Sequence, residues 1–74
     1  MAKLPRDISG HQAVRAFQKA GWLIRKTGPH IIMEKEGMRP TLSVPNHKVL
    51  DPGTLRSLIR YSGLTIEEFI RLLK

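Results

Sequence analysis

Three histidines, His11, His30 and His47, are the side chains of this sequence best suited to moving a proton near neutrality. His30 follows Thr27-Gly28-Pro29, which is turn chemistry, and opens the apolar run Ile31-Ile32-Met33. A residue at the mouth of a strand beside a glycine turn meets a ligand from a fixed backbone. Such an imidazole can take the proton of a ribose 2′-hydroxyl or protonate a leaving oxygen, and with cations around the phosphate that suffices to cleave RNA. It could equally be a turn-flanking histidine that makes one backbone hydrogen bond. His47, beside Lys48 in a polar loop, is open to three readings: a second proton-transfer group, a phosphate contact or a plain loop residue. His11 falls in the first turn of a helix, where positive charge opposes the helix dipole, and reads as a solvated side chain.

Pro52-Gly53-Thr54 is a second candidate. A helix that starts there offers backbone N–H groups and a small hydroxyl to a phosphate, with Arg56 one turn in and Arg60 one turn further. Plain helix capping applies there as well. No other chemistry is assembled. The chain has no cysteine, which removes disulfides, thiolate zinc sites and cysteine nucleophiles. Glu34, Glu36, Glu67 and Glu68 do not make a carboxylate pair for a metal-dependent nuclease, and Glu67 and Glu68 suit the first turn of a helix. There is no glycine-rich phosphate loop of the required spacing, so no cofactor is expected.

Positioning these residues falls to a small domain. The 74 residues carry a net charge of +7, with 13 lysines and arginines against 6 acids. Residues 1–49 hold +6 of that excess. So strong a balance on so small a body points to a polyanion, and nucleic acid is the usual one. Leu, Ile, Val and Phe supply 21 of the 74 residues, enough for a core. Purely apolar runs stop at three residues, so neither a membrane-spanning helix nor a signal sequence is expected, and the expected location is the cytoplasm.

Residues 1–8 read as a basic arm and 9–74 as one domain. Ser9 and Gln12 form a capping box for a helix over Gly10–Ala20, with Phe17 inward and Gly21 as its stop. Trp22–Lys26, His30–Lys35 and Arg39–Val44 have strand character, joined by Thr27-Gly28-Pro29 and Glu36-Gly37. Two tight connections predict an antiparallel three-stranded meander whose apolar face needs helices over it. Trp22 and Phe17 are assigned to the core. Pro45–Leu50 is a loop, Asp51-Pro52 starts a helix that Gly63 closes, and Thr65 with Glu68 caps a final helix. The expected class is α+β in the order α-β-β-β-α-α.

Gly21-Trp22, Gly28-Pro29-His30-Ile31-Ile32, Val44-Pro45-Asn46-His47, Pro52-Gly53-Thr54-Leu55-Arg56-Ser57-Leu58-Ile59 and Gly63-Leu64-Thr65 with Glu67-Glu68-Phe69 together resemble the HicA (YcfA-like) toxins. The likeness spans about residues 9–74, and the helix-start segment is its most specific part. The resemblance implies a fold like a double-stranded-RNA-binding domain and an activity as an mRNA interferase, an endoribonuclease. It further implies a type II toxin–antitoxin pair in which a HicB-type antitoxin is the protein partner. The family's catalytic histidine, in a Gly-x-His turn, corresponds to His30. Pro29 stands where the family usually has serine, which removes a hydroxyl and stiffens the turn. Candidate RNA contacts are Lys26, Gly28, Arg39, His47, Lys48, Thr54, Arg56 and Arg60. The rival reading is a binding module of the same fold that holds RNA without cutting it. A small DNA-binding protein fits less well, because the strands interrupt a helix-turn-helix pattern.

Overall fold

The computed structural model describes residues 3–38 and 41–74. Its elements run α1 (Gly10–Lys19), β1 (Leu23–Lys26), β2 (His30–Glu34), β3 (Leu42–Pro45), α2 (Pro52–Ser62) and α3 (Ile66–Leu72), the expected α-β-β-β-α-α order. The sheet is antiparallel with strand order β1-β2-β3, and its helices share one core with it. α1 packs against α3, β1 and β3, and α2 packs against β3. No helix among the described residues is long and apolar enough to cross a membrane.

Alternation along the strands decides which face is covered. Ile31 and Met33 of β2 and Leu42 and Val44 of β3 are buried beneath the helices. The intervening residues His30, Glu34 and Ser43 are exposed on the opposite, open face, with Ile32 half-buried among them. Phe17 and Trp22 are fully buried, as expected, and the Phe17 ring lies 5.3 Å from that of Phe69 in α3. Ile8 is also buried and Leu4 packs against the core, so the stretch ahead of α1 is anchored by its apolar members.

The elements end where local chemistry ends them. Ser9 and Gln12 bond reciprocally at the start of α1, and Thr65 and Glu68 do the same at α3. The Trp22 N–H donates to the Phe17 carbonyl and the Gly21 N–H to that of Gln18, with Gly21 at φ +102°. That is a Schellman closure. It corrects the expected first strand: the Trp22 N–H is spent on the helix, so β1 begins one residue later. Lys35, expected as the last residue of the second strand, leaves the ladder instead. Its ammonium donates to the Ala20 carbonyl at 2.8 Å and so satisfies an acceptor at the end of α1. The third strand was expected to start at Arg39. Residues 39 and 40 lie outside the described residues, and β3 runs one residue further than expected, to Pro45. An edge position tolerates that proline, because no neighbour needs its missing N–H.

Candidate active site

His30 is the first residue of β2 and pairs across the ladder with Pro45 at the end of β3. Its side chain is exposed on the open face, because the next residue, Ile31, turns inward. The preceding Gly28 has φ +145°, a conformation side chains rarely adopt, and a Cβ there would meet nothing within 4 Å. The space over the turn is open.

Two backbone hydrogen bonds fix this corner. Asn46 N–H donates to the Pro29 carbonyl at 3.0 Å, and Gly10 N–H, at the head of α1, donates to the His47 carbonyl at 2.9 Å. The first bond extends the β2–β3 ladder by one pair, with Pro29 opposite Asn46, and proline cannot return the second bond. α1 comes close enough that a Cβ on Gly10 would sit 3.3 Å from the Asn46 Cα and far inside van der Waals contact with the Pro45 carbonyl oxygen. The Gly28–His30 turn, the segment 45–47 and the start of α1 therefore form one tied unit. Sequence reasoning passed over Gly10 and Asn46. The available signal was a glycine directly after a capping serine, where helix formation alone does not require one.

Around this corner the candidates divide. His30 ends the ladder, Gly28 lies in the turn before it, and His47 follows Asn46 with exposed Lys48 after it. Lys26 pairs with Ile32 and so belongs to the open face that also carries His30. Arg25 forms an exposed pair with Glu34 at 3.4 Å, which leaves Lys26 the more available cation of the two. Arg39 lies outside the described residues. Thr54, Arg56 and Arg60 belong to α2, where both arginines are exposed.

The α2 start differs from the expected phosphate seat. Asp51 Oδ2 accepts from Gly53 N–H at 3.0 Å and from Thr54 N–H at 3.4 Å, and the Asp51 carbonyl accepts from Leu55 N–H. Pro52 has no N–H to offer. The seat is filled by the chain's own carboxylate, so Thr54 keeps only its hydroxyl for a ligand. That residue lines a cleft of about 600 Å³ between α2 and β3, together with Thr41, Ser43, Ser57 and Tyr61. Among the described residues, no three His, Asp or Glu side chains gather in a metal-binding arrangement.

A search of curated proteins finds no match. The family model for the HicA toxin of bacterial toxin–antitoxin systems matches residues 10–64, from the head of α1 past the end of α2, and so takes in every element of the tied corner. The chain belongs to the HicA toxin family, and its role is that of the toxin in a bacterial toxin–antitoxin pair.

Proposed function

We propose that this toxin is an endoribonuclease that cleaves mRNA without a metal ion, using His30 as its catalytic histidine. The observation that carries the reading is the placement of His30: exposed on the open sheet face, on a strand rather than a loop, beside a turn with vacant space over Gly28. An imidazole there can remove the 2′-hydroxyl proton of a bound ribonucleotide, and the ribose oxygen then attacks the adjacent phosphorus. Lys26 and Lys48 supply cationic charge for the phosphates near the site, while Arg56 and Arg60 extend backbone affinity over α2. Gly28 contributes clearance for the chain, His47 and Thr54 add polar contacts, and Arg39 adds a further cation.

The partner that silences the toxin is proposed to be a HicB-type antitoxin, acidic where it meets this surface and covering the Gly28–His30 turn. Charge complementarity to a protein of net charge +7 would steer the encounter. The proposed location of the pair is the cytoplasm, where its mRNA substrate resides. Amide exchange on the complex would test the contact: absence of protection over 26–33 places inhibition elsewhere.

His30→Ala tests the catalytic reading. The side chain is exposed, so its truncation should leave the thermal melt nearly unchanged. Binding to RNA rests on several cations and should change little. Cleavage should fall by about 10²–10⁴-fold, the usual contribution of a positioned acid or base. A variant that folds, binds RNA and still cuts at more than about a tenth of the wild-type rate would refute the role of His30. A wild-type protein that binds RNA and never cuts it would favour the binding module instead.

A further inference from the structure

We infer that His47 is a second catalytic residue, the general acid that protonates the leaving oxygen, and that Gly28 forms the floor between the two imidazoles. The inference rests on the endoribonuclease reading above. Its basis is register. His30 pairs with Pro45, and the Asn46-to-Pro29 hydrogen bond carries the ladder to the next pair. Gly28 and His47 are the next residues on either side, one step past that last bond. In an antiparallel ladder the residue two beyond a direct partner shares its face and lies diagonally across, with about 7–8 Å between the backbones. Counted along the chain, His47 is two residues beyond Pro45, the direct partner of His30.

The residue two before His30 carries no side chain. A Cβ on Gly28 would touch nothing within 4 Å, so the space over that residue is open. Both imidazoles are exposed and able to turn toward it. Two groups that each need about 2.6–3.2 Å to their proton-transfer partners can then reach opposite sides of one phosphodiester. The His47 backbone is held from behind by the Gly10 N–H, so its position does not depend on a free loop. The other ionisable side chains that these contacts bring to this end are Lys48, next in the chain, and His11, second residue of α1.

The step balances with no further reactant. Neutral His30 takes the 2′-hydroxyl proton as the 2′-oxygen bonds to phosphorus. The bond from phosphorus to the 5′-oxygen breaks, and protonated His47 gives that oxygen its proton. The products are a 2′,3′-cyclic phosphate and a 5′-hydroxyl end, and the two imidazoles regain their starting states by proton exchange with water.

A leaving group that needs no acid tests this. The wild-type cleavage position is first mapped on a mixed-sequence RNA. An oligonucleotide is then prepared with sulfur replacing the 5′-oxygen of the scissile bond. On ordinary RNA, His47→Ala should lose about 10²–10⁴-fold in cleavage, with RNA affinity and melting temperature near wild type. On the sulfur substrate His47→Ala should recover to within about tenfold of wild type, whereas His30→Ala should not. The pH–rate profile of His47→Ala should lack the descending limb that the wild type shows on ordinary RNA. Undiminished cleavage by His47→Ala, or a loss that sulfur does not rescue, would overturn the inference while leaving the endoribonuclease reading intact. A wild-type protein inert on RNA would overturn both.

Discussion

Gly10→Ala should destabilise the domain although it replaces glycine by the best helix former. The added methyl is directed at the Pro45 carbonyl oxygen, with the Asn46 Cα and the Pro45 carbonyl carbon each 3.3 Å away. All three obstacles are backbone, so no side chain can swing aside. Overpacking of this kind costs about 1–3 kcal/mol. Displacing the start of α1 also strains the Gly10-to-His47 hydrogen bond, worth about 1 kcal/mol. The propensity gain of alanine over glycine reaches at most about 1 kcal/mol and is smaller at the first helical residue. The net expectation is a loss of about 1–3 kcal/mol, a fall of roughly 4–24 °C in melting temperature for a domain of this size. Thermal unfolding followed by far-UV circular dichroism measures it. Gln18→Ala, at an exposed position of the same helix, serves as the control and should be neutral or slightly stabilising. A Gly10→Ala protein that melts at or above the wild-type temperature would show that α1 does not hold the segment 45–47 in place.

Phe69→Ala should cost about 3–5 kcal/mol through loss of a fully buried ring packed on Phe17, a large share of a small domain's stability, and urea unfolding will read it. The Glu68 carboxylate accepts from the Thr65 backbone N–H, and this bond, with the Thr65 hydroxyl beside it, holds its carboxyl below the ordinary value. Its contribution is therefore complete above the unfolded pKa and fades as pH falls through the lowered folded one. Glu68→Gln should accordingly flatten the acid limb of stability against pH, and equal limbs in both proteins would contradict the cap. RNA affinity should fall with salt at a log–log slope of about −0.7 per phosphate neutralised, and Lys26→Ala or Arg56→Ala should each flatten it by a little under one. Cleavage should persist in EDTA, because the sequence offers no carboxylate or thiolate cluster for an ion; activity that needed added magnesium would refute this.

The fold was legible because its punctuation is local. Capping boxes at Ser9 and Thr65, proline at the start of α2, and glycines at positions 21, 37 and 63 with positive φ each act within a few residues. Strand ends were less legible, because distant groups competed for them. Trp22 was claimed by the closure of α1, and the Lys35 ammonium was drawn to the Ala20 carbonyl fifteen residues away. Leu23 and Ile24 look like core residues in sequence, yet Leu23 is 68 % exposed and Ile24 41 %. β1 is an edge strand, and its contact with α1 leaves all four of its residues exposed.

The site was legible in its residues and hidden in its pairing. His30 could be singled out from its turn, but its proximity to the segment 45–47 depends on the β2–β3 register, which a connection of several residues leaves open. The opposite error arose at α2. Counting free N–H groups at a helix start predicts an anion seat, but the residue that makes Asp51-Pro52 a strong start also fills it: one carboxylate oxygen accepts from both Gly53 and Thr54. A helix that caps itself with an acid spends its positive end on that acid. Binding energy for a polyanion on α2 must then come from the Arg56 and Arg60 side chains. Open space lies instead over Gly28, two residues before His30 at the end of the sheet.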